Sequence, residues 1–496
     1  MNYRHLVYPF EGNIKLVNKD RRGEIFYYMH QQVLARYKIE RICNDMDDIE
    51  RYSDFRKPIK EGYFPKMDTL VAHRAWPARP DGVAPQNLNR TTDKIKLNIS
   101  DIEAWLIRFN KAIEDGFVKS SEGIQIPLDE VNGINMLGNM MESSILSPNR
   151  EFYGNLHNSM HNLIAHCHDP DHRHKESFSV IGDSTTAMRD PVFYRIHAQV
   201  DDIFLSHKKK LNPYTAKQLT FPNISIASLE ARHFQKPANT LHTFWRQSDV
   251  NLSRGLDFVP RGEVYAQFTH LQHIPYTVTM NVVNNSGANR QGMVRLFLAP
   301  KSGFNRKLAR MDFNDQRIFM IELDKFFVNR KLILFQMPQC NNFSLFTVKP
   351  GSNTVTRRSV DSNVTIPHEQ TFRVIAEEGK FVKESDEEAE NNICGCGWPQ
   401  HMLIPRGTTE GKVFDLFAMV SNFEEDQIVQ DLVGQCTKAT AYCGLRDRKY
   451  PDRRAMGYPF DRNGRTGTKD LASFLTPNMR AQEITIKFTD RVIKKF

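Results

Sequence analysis

Several histidines in the first half of the chain have a spacing that suits metal binding. His157 and His161 are four residues apart in EFYGNLHNSMHNLIAH, so on a helix both imidazoles lie on one face, one turn apart. His197, in DPVFYRIHAQVDDIF, falls on the apolar side of its predicted helix. His30 falls in line with the apolar residues of GEIFYYMHQQVLARY. Imidazoles buried in a helical core are costly unless they are paired or bind a metal.

The donor set and the number of histidines decide how this pattern is interpreted. A lone buried histidine is more often hydrogen-bonded than metal-bound, and a single HxxxH pair is weak evidence. Here the pair and two further histidines all project inward, as ligands do in helical-bundle metal sites. Imidazoles without carboxylates or thiolates suit copper or zinc. The spacing alone therefore predicts a multi-histidine metal site in a helical domain.

Helical periodicity predicts the elements that must hold these side chains. Apolar residues recur at helical spacing over residues 23–46, 102–117 and 152–167, and a further helix is predicted after Asp190. Pro191 stands at the first position of that helix, where its missing N–H costs nothing. The Pro-rich, polar stretch 57–89 predicts a long loop. A second polar loop, HCHDPDHRH, contains His166, His168, His172 and His174, which we leave out of the site.

The pattern changes near Asn212, where we place a domain boundary. Alternating apolar and polar residues predict strands at 276–283, 293–299, 318–323, 342–348 and 370–374, separated by Gly, Asn and Pro clusters. Short strands of this kind predict an antiparallel sandwich. We therefore expect an α+β multidomain chain, with a helical domain at 1–211 and a β-sandwich domain at 212–496.

Composition excludes some functions. The 496 residues are 40% hydrophobic and 25% charged, which is ordinary for a globular protein. No run of eighteen apolar residues occurs, so no membrane span is predicted. The net charge of +9 comes from scattered basic residues, and no nucleic-acid-binding motif accompanies it.

Four of the seven cysteines cluster near the C-terminus: Cys394, Cys396, Cys436 and Cys443. Such a cluster suggests two disulfides or a zinc site, and CxC followed by Cx6C is a poor spacing for zinc. The spacing does not choose among the three possible disulfide pairings. Disulfides would imply an oxidising environment at some stage of the protein's life.

Three long segments resemble the copper-site signatures of insect prophenoloxidases, which belong to the tyrosinase and hemocyanin superfamily. They are HLVYPFEGNIKLVNKDRRGEIFYYMHQQVLARY, NREFYGNLHNSMHNLIAHCHDPDHRHKESF and GDSTTAMRDPVFYRIHAQVDDIF. The similarity covers the whole chain and ends with CGCGWPQHMLIPRG. It implies a helical bundle around two coppers, each bound by three histidines, followed by an immunoglobulin-like β-sandwich.

The resemblance also implies a function. The protein would be a copper-dependent phenoloxidase that uses O2 to convert monophenols and o-diphenols to o-quinones, for melanin synthesis in innate immunity. It would act outside cells, in haemolymph, as an oligomer with other phenoloxidase subunits, with no nucleic-acid partner.

Copper ligands can be assigned residue by residue from the same resemblance. His157, His161 and His197 match the second copper site, and His5 and His30 match two ligands of the first. The third ligand of the first site is expected four residues before His5, where this chain has Met1. The chain thus keeps five of six ligands and lacks the family's N-terminal domain. We expect the first copper site to be weak or empty.

Other site residues follow from the resemblance. In related tyrosinases an Asn and a nearby Glu hold a water that accepts the phenol's proton; here Asn158 and Glu151 are the candidates. On one helix the two side chains are two turns apart and on roughly the same side, but Gly154 between them is a residue that disturbs helices. The family pairing of the cysteines is Cys394 with Cys436 and Cys396 with Cys443. With these disulfides, the GCGWP motif, which has been compared with complement thioesters, holds no thioester.

Two alternatives remain open. One is a non-enzymatic relative, either an oxygen-carrying hemocyanin or a hexamerin storage protein. Five retained ligands and 10% aromatic residues count against storage. The other is a catalytically silent, truncated isoform that assembles with full-length subunits, which Met1 in a ligand position favours.

Overall fold

The computed structural model describes residues 20–66, 68–69, 74–234, 236–251, 262, 264–305, 310–327, 346–366, 397–430 and 449–494. The chain divides into two compact units. Of the described residues, the helical unit contains 20–34 and those from Ile49 to Asn212, and the β-rich unit contains Ala35–Asp48 and those from Pro213 onward. The fold is therefore mixed α+β, with helices first and strands second.

The helical unit is built from six α-helices within its described residues. These are α1 (Arg22–Cys43, whose last part belongs to the β-rich unit), α2 (Ile99–Asp115), α3 (Gly133–Met141), α4 (Arg150–Tyr153), α5 (Leu156–Ala165) and α6 (Pro191–Lys210). Short two- or three-residue strands lie between them: β1 (Asp68–Thr69), β2 (Arg74–Ala75), β3 (Leu88–Arg90), β4 (Ile95–Leu97), β5 (Phe117–Lys119) and β6 (Gln125–Pro127). Among the described helices, none is long and apolar enough to span a membrane.

Local sequence signals set the helix ends. Asn98 and Asp101 form a capping box at the start of α2, and Gly116 ends that helix in the left-handed conformation at φ 77°. Asp190 caps α6 by accepting a hydrogen bond from the backbone N–H of Val192 at 3.1 Å. The helices predicted from periodicity at 23–46 and 102–117 correspond to α1 and α2.

One predicted helix is interrupted. The sequence predicts a helix over 152–167 with Gly154 as the residue that can disturb it, and in the structure α4 ends at Tyr153 and α5 begins at Leu156. Gly154 separates them at φ 69° and ψ −162°, and its α-carbon lies against the ring of Trp105, where a Cβ atom would come within 2.1 Å. A helix cannot continue through that backbone conformation, so the register from Glu151 to Asn158 is lost.

Helices α1 and α3 meet through glycines. A Cβ atom on Gly138 would lie 2.0 Å from the carbonyl oxygen of Gly23, and one on Gly23 would lie 1.9 Å from that of Asn135. The Asn135 side chain accepts hydrogen bonds from the backbone N–H groups of Gly23 and Glu24. The first turn of α1, the helix that carries His30, is therefore fixed by direct backbone contact with α3.

The β-rich unit contains twelve strands in its described residues. They are β7 (Ile224–Arg232), β8 (Thr240–Asn251), β9 (Tyr265–His273), β10 (Thr277–Asn284), β11 (Arg290–Pro300), β12 (Ile321–Phe327), β13 (Phe346–Val348), β14 (Gly351–Arg358), β15 (Thr365–Ile366), β16 (Trp398–Pro399), β17 (Lys412–Asn422) and β18 (Met479–Lys494). Four single-turn α-helices accompany them in the described part of this unit: α7 (Ala216–Leu219), α8 (Phe313–Gln316), α9 (Phe423–Asp426) and α10 (Leu471–Phe474).

These strands form a three-stranded sheet in the order β14-β10-β7 and a seven-stranded sheet in the order β12-β11-β17-β18-β8-β9, with β13 paired to β11. Both are antiparallel except where β18 runs parallel to β8. The predicted strands at 276–283 and 293–299 correspond to β10 and β11, and the one at 318–323 overlaps β12 only from Ile321, because Arg317–Phe319 form a 3-10 turn. The strand expected at 342–348 lies partly outside the described residues, and that at 370–374 lies wholly outside them.

The contact between α1 and α3 is testable with Gly138→Ala. Although alanine favours helices, the new methyl group has no room against Gly23, so we expect unfolding free energy to fall by about 1–3 kcal/mol. Urea unfolding followed by circular dichroism measures it. Gly116→Ala is the control, because its Cβ meets open space and only its left-handed backbone costs energy, about 1–2 kcal/mol. Copper binding should weaken in Gly138→Ala alone; equal copper binding in both variants would contradict this prediction.

Candidate metal centre

Four imidazoles from three helices lie together in the helical unit. His30 comes from α1, His157 and His161 from α5, and His197 from α6. The Nε2 atom of His197 lies 3.1 Å from that of His161 and 3.4 Å from that of His157. One ring nitrogen each of His30, His157 and His197 lies within 4.8 Å of the other two. The spacing read from the sequence thus corresponds to a cluster in space.

The separations fit a shared metal ion. Imidazole nitrogens bind a transition metal such as zinc at about 2.0–2.1 Å, so two nitrogens on one ion are roughly 3.3–3.6 Å apart. The Nε2 distances of 3.1 and 3.4 Å around His197 lie near that range. The donors are all neutral-type imidazoles, which suit copper or zinc.

Hydrogen bonds at the opposite ring nitrogens orient three of the imidazoles. His30 Nδ1 lies 2.7 Å from the carbonyl oxygen of Phe26, and His161 Nδ1 lies 2.7 Å from that of Ile181. A carbonyl oxygen only accepts, so each Nδ1 carries the proton. The lone pair of each ring is therefore on Nε2, the atom that a metal would use.

His157 has a side-chain partner instead. Its Nδ1 lies 3.1 Å from Oδ1 of Asn158, whose Nδ2 donates to the backbone carbonyl of Glu142 at 3.1 Å and to Oδ1 of Asn155 at 2.8 Å. The two donations fix which end of the Asn158 amide is oxygen. Asn158 thus orients the His157 ring.

Burial keeps the cluster uncharged. It lowers the pKa of His30 to about 4, and it lowers the pKa of His157 and of His197 well below the ordinary value. Mutual repulsion among the rings adds to this effect. Neutral imidazoles keep the lone pairs that metal binding requires, so no proton has to leave the ring before a metal binds.

The structure does not bring Glu151 into this group. Its side chain is exposed on α4, beyond the break at Gly154, and no hydrogen bond to it is found among the described residues. The acidic residue whose backbone carbonyl accepts from Asn158 is Glu142, at the C-terminal cap of α3. Burial raises the pKa of Glu142, and the ion pair with Arg22 at 2.9 Å opposes that rise.

Sequence reasoning missed Glu142 because it lies fifteen residues before His157, at the C-terminal cap of a different helix. One signal was available: ESS directly follows the apolar run GINMLGNMM, which places a carboxylate at a predicted helix end. No periodicity connects that end to the ligand helix.

The structure describes only some of the other residues that the sequence analysis singled out. His5 and the four clustered cysteines, Cys394, Cys396, Cys436 and Cys443, lie outside the described residues, so their predicted roles stay predictions. His166 follows α5 as predicted, but it is only 3% exposed and lies near Phe178. His168 is bonded to the carbonyl oxygen of Ser177 at 2.9 Å. These two imidazoles are therefore parts of a packed loop.

Comparison with known proteins connects this site to a family. The profile described as "Hemocyanin, copper containing domain" matches residues 2–204, and "Hemocyanin, ig-like domain" matches 213–332 and 336–488. Phenoloxidase 2 of Drosophila melanogaster is 50% identical over 492 residues, 99% of this chain and 69% of that protein. This chain belongs to the hemocyanin and phenoloxidase family.

Other members of the family agree in sequence and in structure. Phenoloxidase subunit 1 of Bombyx mori is 52% identical over 98% of this chain and 68% of its own length. A scorpion hemocyanin structure matches with a TM-score of 0.84 at 38% identity, over 98% of this chain and 72% of that one. The structure of a hemolymph-type prophenoloxidase from a crustacean matches with a TM-score of 0.80 at 28% identity. The match covers 98% of this chain and 68% of that one. The family implies copper, and the described histidine cluster fits it.

The contribution of single histidines is testable with His161→Ala. Removing the Nε2 atom that faces His197 should lower the copper retained per chain, measured by elemental analysis after copper loading and dialysis. The thermal stabilisation that copper gives should fall with it. His168→Ala is the matched control, a histidine of the following loop, and should retain wild-type copper. A loss of copper in His168→Ala equal to that in His161→Ala would show that the ligands are assigned wrongly.

Proposed function

We propose that this chain is a phenoloxidase that oxidises phenolic substrates to o-quinones with O2. The observation that carries the proposal is the convergence of His30, His157, His161 and His197 in a family whose relatives are named phenoloxidases. Bound copper would supply the activation of oxygen. The protein itself would hold that metal with neutral imidazoles and accept the proton that the phenol releases.

The finer assignment of ligands belongs to this proposal. His157, His161 and His197 would hold one copper, and His30 would share a second with His5. A ring nitrogen of His30 lies within 4.8 Å of those of His157 and His197, which supports two neighbouring metal positions. The division into residues 1–211 and 212–496 is likewise proposed, and the profile boundaries at 204 and 213 support it.

A proton acceptor is needed because phenolate binds a metal better than phenol does. Glu142 is better suited than Glu151, since its carboxyl group is buried and its Oε2 has no hydrogen-bond partner in the described part of the chain. A raised pKa also brings a carboxylate closer to the value that favours proton transfer near neutral pH. We infer that Glu142 holds the phenol's proton while Asn158 keeps His157 in position.

Substrates and surroundings follow from the family. Monophenols and o-diphenols are the proposed substrates, melanin formation in innate immunity the proposed use, and haemolymph the proposed location. Relatives named as subunits, such as Phenoloxidase subunit 1 of Manduca sexta, support assembly with other phenoloxidase chains.

One alternative has a specific observation in its favour. The match to scorpion hemocyanin, at 38% identity and a TM-score of 0.84, agrees with an oxygen carrier that does not turn over phenols. The experiment that separates the two is oxidation of a catechol by the copper-loaded chain, followed as o-quinone absorbance. Copper per chain is measured on the same sample. Sustained turnover supports the phenoloxidase; bound copper without turnover supports the carrier or a silent isoform.

The proton-acceptor role is testable with Glu142→Gln. Glutamine keeps the shape and an acceptor oxygen but cannot take a proton, so kcat for catechol should fall roughly 10²-fold. Copper content should stay at the wild-type value, which separates proton transfer from metal loss. Glu151→Gln is the matched control and should leave both quantities unchanged. If Glu151→Gln slows turnover and Glu142→Gln does not, the exposed residue is the acceptor after all.

A further inference from the structure

His197 is held differently from its neighbours. The Nδ1 atoms of His30, His157 and His161 each have an acceptor, but Nδ1 of His197 is buried and has no hydrogen-bond partner among the described residues. No acceptor in that part of the chain therefore fixes the rotation of this ring. Its placement depends on packing and on the helix that carries it.

The packing is tight on both faces of the ring. The Phe193 ring, one helical turn earlier on α6, lies 4.0 Å from it, and the His30 ring stacks on it at 4.5 Å. Rings packed this closely move with their helix. A small shift or rotation of α6 would therefore displace Nε2 of His197 from Nε2 of His157 and His161.

The first turn of α6 is fixed by Asp190. Its Oδ1 accepts the backbone N–H of Val192 at 3.1 Å, and its backbone carbonyl accepts that of Phe193 at 3.0 Å. Asp190 precedes His197 by seven residues, which is about two helical turns, so both lie near the same side of the helix. The cap therefore controls the end of α6 nearest to the metal-binding ring.

Asp190 is itself held by Arg79. The guanidinium donates to both carboxylate oxygens, with Nη2 lying 2.7 Å from Oδ1, and each side chain is 1% exposed. Arg79 in turn is fixed to Tyr63 by two backbone hydrogen bonds of 2.7 and 3.0 Å. Two hydrogen bonds from one guanidinium to one carboxylate fix both the position and the orientation of the Asp190 side chain.

We propose that the buried Arg79–Asp190 pair positions His197, by fixing the first turn of α6 and through it the ring nitrogen that His197 offers to the metal. The inference rests on the proposed metal centre. Arg79 and Asp190 are positioning residues, since no hydrogen bond joins either of them to the four histidines in the described part of the chain, and Asp190 acts on His161 only through its charge. A pair serving stability alone would affect folding without changing the geometry of the bound metal.

The test uses the full chain loaded with one metal at a time. In the double variant R79M/D190N both buried charges are gone, while the asparagine that D190N introduces still caps the helix, so the fold is expected to survive. R79K keeps the positive charge but loses the pair of hydrogen bonds that the guanidinium makes with the Asp190 carboxylate. We expect the dissociation constant for copper, measured by chelator competition, to rise about 10- to 100-fold in both variants. The absorption spectrum of bound Co(II), which reports ligand geometry, should change as well.

The control is R51M/D202N, which removes a partly exposed ion pair between Arg51 and Asp202. Asp202 lies on α6, and its Oδ2 is 2.9 Å from Nε of Arg51. It should match wild type in copper affinity and in Co(II) spectrum. Folded R79M/D190N and R79K with copper affinity within about twofold of wild type and an unchanged Co(II) spectrum would overturn the proposal. If the double variant does not fold, R79K decides alone. A wild-type chain that binds no copper would remove the metal centre and this inference with it, whereas wild-type binding leaves only the inference at stake.

Discussion

The helical unit depends on one electrostatic constraint: several imidazole lone pairs point at one another in a space that is largely buried. If the rings were protonated, their positive charges would repel each other at low dielectric, and if they are neutral, their lone pairs have no partner. A metal cation bound to the lone pairs of the neutral rings removes both unfavourable terms. Because Nε2 of His161 and His197 are 3.1 Å apart, the cluster has little tolerance for movement of either helix. The remaining features of this unit serve to hold three helices against that repulsion.

Holding the helices requires acceptors and close backbone contact. Phe26 and Ile181 offer carbonyl oxygens, so the orientation of His30 and His161 is set by main chain that no side-chain substitution removes. The meeting of Gly23 with Gly138 brings α1 close to α3. Tight packing of this kind transmits small displacements. The metal affinity of the site is therefore a property of helix placement as much as of the ligands.

The features that could be predicted from sequence rest on short-range signals, and the rest depend on contacts between residues far apart in the chain. The i, i+4 spacing of His157 and His161, and the Asp190–Pro191 start of α6, are short-range signals that survive in the fold. Gly154 is itself a sequence signal for a disturbed helix, but the ring of Trp105 that leaves no room for a side chain there comes from a different helix and could not be predicted from periodicity. The backbone carbonyl of Glu142 meets the Asn158 side chain only after α3 and α5 pack. The parallel pairing of β18 with β8 is a long-range contact that strand patterns do not encode.

The acceptors also determine how the site can vary. Of the three Nδ1 partners, two are backbone carbonyls and one, Asn158, is a side chain. A single substitution at Asn158 can therefore change the orientation of the His157 ring, whereas a change in the orientation of His30 or His161 requires the main chain to move. His157 is also the ring whose partner is bonded to the Glu142 backbone. Among the three rings with an Nδ1 acceptor, His157 is thus the one whose acceptor a single substitution can change, and that acceptor is also bonded to the backbone at the end of α3.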